Sequence, residues 1–405
     1  MNRTLPPLFL FISLLASCEK EPANPEEMIA RRVIVNPYEG IDFQTASRVK
    51  AITHEHIFRE SQVKYAYDRG IRYFACVNYF PACPSYPLSR WSYEYEDYVS
   101  PTDLTLAKFT YTGSIPSFVD KDGNEINTDD LVQLPNAEHA FYSNTGNMHF
   151  NVLGSLFGEC TNGNRTGSEW SESSLGMKKN KWYSNHPKWD IRDINKQYLD
   201  ESHQLFKGKV FGTINHTSNR HYVTKMLDEC PDVFKAVEIV NQGSTESSWE
   251  NYQEMWDDLL REGRRVWGVS AIDWQVEGPD GNPRLGACNV LLIEDYEGQP
   301  NLRKSEMGLD AYIAGRFIPS GLAENDVVDF VVTSTSAKLQ VTGHPSRMVV
   351  VTNRGKKEYK GTNEIEYTYD WKDTYVRFEA WYRDEKGTLQ DYLFTNPIFI
   401  EYADE

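Results

Sequence analysis

The chain has 405 residues, of which 40% are hydrophobic, 13% aromatic and 25% charged. That composition excludes disorder, a collagen-like repeat and a disulfide miniprotein, and a mean hydropathy of −0.58 excludes a multi-span membrane protein. With 42 Lys and Arg against 59 Asp and Glu, the net charge of −17 repels a phosphate backbone over most of the surface, so no nucleic-acid partner is expected.

In chain order, the first element is an apolar run from Leu5 to Ala16 that follows Arg3 and ends in Leu15-Ala16-Ser17-Cys18. It is too short and too terminal for a membrane span and reads as a signal peptide over residues 1–17. The four closing residues resemble a bacterial lipoprotein box, which implies that Cys18 is acylated, becomes the mature N-terminus and anchors an exported protein at the cell envelope. That anchor lies at the outer membrane if the cell is Gram-negative. The alternative is an ordinary signal peptide with a Cys near its cleavage site. Residues 18–45 are rich in Glu, Pro and Asn without a sustained period and read as a tether. Cys76, Cys83, Cys160, Cys230 and Cys288 remain, an odd number that allows at most two bridges. No Cys-x-x-Cys pair occurs, which argues against a thiolate zinc site.

Between residues 46 and 320 short β-type runs alternate with helical ones, the pattern of an α/β sheet or barrel. Trp256, Leu259 and Leu260 share a helix face, Gly263 provides the stop, and Val266 to Ile272 reads as a buried strand. Residues 158–201 break the rhythm with Gly, Asn and Ser, then Trp170, Trp182, Trp189 and the basic cluster Lys178–Lys181. They read as an insertion, either a lid or aromatic packing onto the barrel. After Ser320 the period changes to 2, with Val376, Phe378, Ala380 and Tyr382 on one strand face and a turn at Asp384–Gly387. Residues 321–405 thus form a β-sandwich-like module with one His and no Cys, expected to carry no catalytic residue.

The chemistry falls at predicted strand ends. Val49 to Ile52 runs into Thr53-His54-Glu55-His56, whose two His at i and i+2 point to one side of an extended chain, as two ligands of one ion require. Glu138 follows the Leu131–Leu134 run, His149 sits in Met148–Val152, Val210–Ile214 ends in Asn215-His216, and the Trp267 strand ends at Asp273. Polar ligands at several strand ends are how a barrel builds a site on one mouth. His139 reads as pointing away from that site, His186, His203 and His344 as surface or turn residues, and Arg220, beside His221, as a phosphate grip or a solvated loop charge.

In this order the motifs resemble the PHP (polymerase and histidinol phosphatase) family. The resemblance rests on His54-Glu55-His56 followed by Ser61-Gln62, the Gly70–Tyr79 stretch, Glu138, His149, Asn215-His216-Thr217, Asp273-Trp274-Gln275 and Gly308–Ser320 with Ala314-Gly315-Arg316-Phe317. Thr395-Asn396-Pro397-Ile398 is similar to the end of the β module that exported members often append. The resemblance implies an α/β fold with a distorted seven-stranded, TIM-like β/α barrel over residues 46–320, and phosphoester hydrolysis by divalent ions. It further implies one ion on His54, His56, Glu138 and Asp273 and a second on Glu138, His149 and His216, with Glu138 bridging. A third ion of the family would use the positions of Gln62, Tyr79 and Gln275, none an ordinary ligand, and Asn78 replaces the neighbouring Asp. These four residues are instead weak candidates for substrate contacts, together with Arg220.

Two ions, zinc, manganese or iron, are therefore expected, with Glu138 and Asp273 in the catalytic roles and a small phosphorylated molecule as substrate. Two alternatives stay open. One is a binding lipoprotein that keeps the site without turnover, and the other is a two-ion hydrolase of a non-phosphate ester or amide.

Overall fold

Strand Phe234–Asn241 (FKAVEIVN) is apolar on both sides and almost wholly buried, as a central strand covered on both faces must be. The computed structural model describes residues 25–55, 65–75, 118–119, 125–126, 130–136, 138–143, 146–155, 191–273, 286–321 and 324–403. Its elements begin with helix α1 (Pro25–Ala30) and strands β1 (Arg32–Val35), β2 (Ser47–Ile52), β3 (Ile71–Phe74), β4 (Phe118–Val119), β5 (Glu125–Ile126), β6 (Val132–Gln133), β7 (Glu138–Ser143) and β8 (Gly146–Leu153). Then follow α2 (Ile191–Leu199), β9 (Phe211–Ile214), α3 (Arg220–Glu229), β10 (Phe234–Asn241), α4 (Glu246–Arg261), β11 (Trp267–Ala271), β12 (Ala287–Ile293) and α5 (Asn301–Ala314). The strands after α5 are β13 (Phe317–Gly321), β14 (Val327–Val332), β15 (Ser336–Val341), β16 (Arg347–Thr352), β17 (Gly355–Tyr359), β18 (Glu364–Thr368), β19 (Tyr375–Arg383), β20 (Leu389–Phe394) and β21 (Ile398–Tyr402).

The expected α/β character is present. Most of the described strands fall into two sheets, which no continuous ladder joins. One is β11-β10-β9-β8-β7, with β9, β10 and β11 parallel and β8 antiparallel to β9. The other runs β1-β21-β19-β20-β13-β12-β2-β3-β6 and also takes in β16 and β17. Two seams join them without a ladder. At one, Asn289 of β12 substitutes its amide for a backbone strand: Oδ1 accepts from Ser270 N and Nδ2 donates to Ser270 O, each at 3.0 Å. At the other, Gly154 N donates to Pro135 O at 2.8 Å. The space between the sheets is filled by Ala51, Tyr73, Leu153, Phe211, Ala236, Val269, Leu291 and Phe317, backed by Leu309 and Tyr312 of α5.

Helix α4 buries Trp249, Tyr252, Met255, Trp256, Leu259 and Leu260, the amphipathic face anticipated from sequence. Gly263 follows with φ +79°, the left-handed stop a residue without Cβ supplies. Gly315 ends α5 in the same way at φ +74°, its N–H bonding back to Ala311 O and Tyr312 O.

The strands after Gly321 are continuous with the large sheet, since Ser320 of β13 pairs with Leu393 of β20. Strands β14, β15 and β18 form a second layer, whose Phe330, Ala337, Leu339 and Ile365 pack with Val350, Val376 and Phe378. The other face of β19 is also buried. There Arg377, fully enclosed, donates to Asp257 of α4 at 2.8 Å and to Glu379 at 2.7 Å and lies over the Trp256 ring.

Part of the stretch read as a tether is built into the fold: β1 pairs in full register with β21, Arg32 opposite Tyr402, and Tyr38 and Phe43 are buried. The end of the supposed insertion is helix α2, with Ile191 and Tyr198 in the core; Trp170, Trp182, Trp189 and Lys178–Lys181 lie outside the described residues. Cys230 and Cys288 are buried; the other cysteines also fall outside. No helix among the described residues is long and apolar enough to cross a membrane.

Candidate metal centre

The parallel strands β2, β9, β10 and β11 all present their C-terminal ends to one side, and β7 begins there. Each delivers a polar residue just where its apolar run stops: His54 after β2, His216 after β9, Asn241 at the end of β10, Asp273 after β11 and Glu138 at the start of β7. His149 joins them from β8, whose carbonyl accepts from Asn215 N at 2.9 Å. The two sheets also meet at this point, because Asp273 N donates to His54 O at 2.8 Å.

The side chains converge. His54 Nε2 lies 3.0 Å from Asp273 Oδ1 and 3.4 Å from Glu138 Oε1. His216 Nε2 lies 3.4 Å from Glu138 Oε1 and 3.6 Å from Asp273 Oδ2. One ligand atom from each of His54, Glu138, His216 and Asp273 falls within 4.8 Å of all the others. In a tetrahedral site with bonds of about 2.0–2.2 Å, neighbouring ligand atoms stand about 3.4 Å apart, so this donor set matches what a divalent ion needs. His149 Nδ1 contacts Glu138 Oε1 at 2.8 Å, and its ring meets that of His216 edge-on at 4.9 Å. Glu138 is thereby shared among three imidazoles.

Burial opposes the charge on these groups, yet their mutual attraction wins. The His54 ring, fully buried, would titrate low by desolvation, but the carboxylates of Asp273, Glu138 and Glu238 hold its pKa well above the ordinary value. Desolvation likewise opposes protonation of His216, and Glu138, Asp273 and Glu238 raise it to about 9. Glu138 is held well below the carboxylate range by His54, His149 and His216 despite the desolvation that pushes it up. Without an ion, protons carry the positive charge that these carboxylates require.

A layer of amides supports the ligands. Asn215 Nδ2 donates to Asn151 Oδ1 at 3.1 Å, Asn151 Nδ2 to Thr53 O at 3.0 Å, and Asn136 Nδ2 to Thr53 O and Ala75 O at 2.6 Å each. His216 and Asp273 have φ of +27° and +57°, a left-handed conformation uncommon in residues with a side chain and costing on the order of 1 kcal/mol each. Among the described residues only Asp295 also shows it outside glycine, so the strain is concentrated at the site.

Of the residues expected from sequence, the structure brings together His54, Glu138, His149, His216 and Asp273. His56, Gln62, Asn78, Tyr79, Gln275 and Cys18 lie outside the described residues. Arg220 is not at the site: its half-exposed guanidinium pairs with Glu262 and, at 3.9 Å, Asp258 at the end of α4. Sequence reading missed Glu238, which takes His54 Nδ1 at 2.6 Å, and Asn241. The clue was available in the FKAVEIVN run, where one carboxylate stands inside a strand with no solvent face and therefore needs a partner.

Beside His149 and His216 opens a cavity of about 210 Å³, lined also by Ile214, Asn215, Thr217, Tyr222 and Met226. No family model and no curated protein matches the chain. Among solved structures, a chain from Bifidobacterium adolescentis provisionally assigned as a metal-dependent phosphoesterase aligns at 10% identity and a TM-score of 0.29. It covers 58% of this chain and 90% of that one, a likeness too loose to fix either fold or chemistry.

Proposed function

We propose that the protein is a metal-dependent hydrolase of small organic phosphoesters that works with two divalent ions. The observation that carries this reading is the spacing of His54 Nε2, His216 Nε2, Glu138 and Asp273, whose His-to-carboxylate separations of 3.0–3.6 Å suit one ion, with His149 placed to complete a second set through Glu138. Bound there, a pair of ions would supply a Lewis acid and a water acidic enough to attack near neutral pH.

The chain's own groups have separable tasks in this reading. Glu138 would serve both ions, His54 and Asp273 would hold one, His149 would hold the other, and His216 stands within reach of both beside the cavity. That cavity, with Thr217 and Tyr222 as its polar groups and Ile214 and Met226 as its apolar floor, accommodates the alcohol half of a compact ester. Export and anchoring through acylated Cys18 belong to the same proposal. They are supported by the apolar run and the Leu15–Cys18 residues, and Cys18→Ala should abolish membrane partitioning. Elemental analysis after dialysis against Zn²⁺ or Mn²⁺ tests the centre: two ions per chain support the reading, and none that can be restored overturns it.

A further inference from the structure

We propose that Glu238 is the positioning residue of the metal centre, a single carboxylate that fixes three of its four closest ligands at once. This deepens the reading of the cluster as a metal site and rests on it. Glu238 is 1% exposed, and both of its oxygens are in use. Oε1 accepts from His54 Nδ1 at 2.6 Å, which leaves Nε2 of that ring facing Asp273 and Glu138. Oε2 accepts from the backbone N–H of His216 at 2.7 Å and from Asn241 Nδ2 at 2.8 Å. Asn241 Nδ2 in turn donates to Asp273 Oδ2 at 3.0 Å.

The backbone shows how this arrangement is built. The register between β10 and β11 slips between Glu238 and Val240, a bulge in β10. In a regular strand residues three apart face opposite ways; the bulge lets Asn241 turn to the same side as Glu238, close enough to bond it. The two left-handed ligands, His216 and Asp273, are the two that Glu238 restrains through a backbone N–H and through Asn241. Trp249 of α4 completes the support by donating from Nε1 to Asn241 O at 2.6 Å.

The chemistry requires a carboxylate at this position. An imidazole that coordinates through Nε2 must keep its proton on Nδ1, and a carboxylate accepting that proton fixes both tautomer and ring angle. A glutamine has the same shape but one acceptor and one donor. Either its NH₂ meets the His216 N–H, or it donates to His54 Nδ1 and drives the ring proton onto Nε2, where it blocks the ligand position. Glu238→Gln therefore removes orientation while leaving volume and packing in place.

The test is Zn²⁺ affinity by chelator competition on the full chain, with the melting temperature of the metal-free protein measured alongside. Ser270→Ala serves as the control, since Ser270 is equally buried in the adjacent strand and its hydroxyl bonds Tyr392, away from the ligands. Glu238→Gln should weaken Zn²⁺ about 10- to 100-fold with a metal-free melting temperature close to wild type, while the control leaves affinity unchanged. Affinity of Glu238→Gln within about twofold of wild type overturns the proposal, as does an equal loss in Ser270→Ala. If Glu238→Gln does not fold, Asn241→Ala decides: a loss of about threefold or more supports the role, and no loss overturns it. A wild-type chain that holds no Zn²⁺ is a different failure, which removes the metal reading itself.

Discussion

Raising the pH from 7 to 8 should tighten metal binding far more steeply than an ordinary histidine site allows. An ion can take His216 only after its proton has left, and Glu138, Asp273 and Glu238 hold that proton to a pKa of about 9. A group titrating at about 9 is about 1% neutral at pH 7 and about 9% at pH 8, so its contribution to affinity rises about ninefold over that step. An imidazole at its unperturbed value near 6.5 goes from about 76% to about 97% neutral, a gain of about 1.3-fold. His54, raised well above the ordinary value by Asp273, Glu138 and Glu238 against desolvation, adds to the slope in the same direction. The sign for folding is opposite. Because the folded-state pKa of His216 is raised, the metal-free protein has the full benefit below about pH 6.5 and loses it as pH rises through about 9. Chelator competition at several pH values, with calorimetry in two buffers to count released protons, measures this. A Zn²⁺ affinity that levels off by pH 7 would refute the reasoning.

Asp273→Asn keeps a residue that tolerates φ of +57° but removes the charge, so the fold should persist while one ion and most hydrolysis are lost; retention of both ions would count against the ligand assignment. Arg377→Met should cost about 3–5 kcal/mol at pH 7, because it leaves Asp257 and Glu379 buried without their main cation. Urea unfolding should show that deficit shrinking as the pH falls. Glu379 is normally held low by Arg377 and Lys356 against desolvation, so this stability is present above the carboxylate range and lost below it. A deficit under about 1 kcal/mol at pH 7 would contradict the account. Gly308→Ala would place a Cβ 2.2 Å from the Tyr73 ring, so α5 must shift from β3 at a cost of at least about 1–3 kcal/mol, and an unchanged unfolding midpoint would show that the contact is not tight.

The features legible in the sequence were those carried by local periodicity. The helix face of Trp256, Leu259 and Leu260 with its Gly263 stop, and the alternation of Val376, Phe378, Ala380 and Tyr382, are as the spacing implied. Five ligand candidates were also legible, because four end or begin a strand whose apolar run is plain and His149 sits within one. What escaped depended on distant partners. Arg32–Val35 is too short to stand out from its Glu- and Pro-rich surroundings, and only β21 makes it a strand. Arg377 and Glu379 fall on the face of β19 that ordinarily meets water, and they are buried because α4 brings Asp257 over them. Asn241 reaches Glu238 through a bulge that no sequence period encodes. The seams at Asn289 and Gly154, where the two sheets meet without a ladder, depend on single side-chain and backbone contacts between strands far apart in the chain.

Hydrolysis of a generic aryl phosphate at neutral pH, measured on the purified chain before chelation, after chelation and after return of Zn²⁺ or Mn²⁺, tests the central claim most directly. The expected result is activity that disappears with the chelator, returns with the ion and is mostly lost in Asp273→Asn throughout. Hydrolysis that survives chelation, or an ion-loaded chain that cleaves no phosphoester, would contradict it.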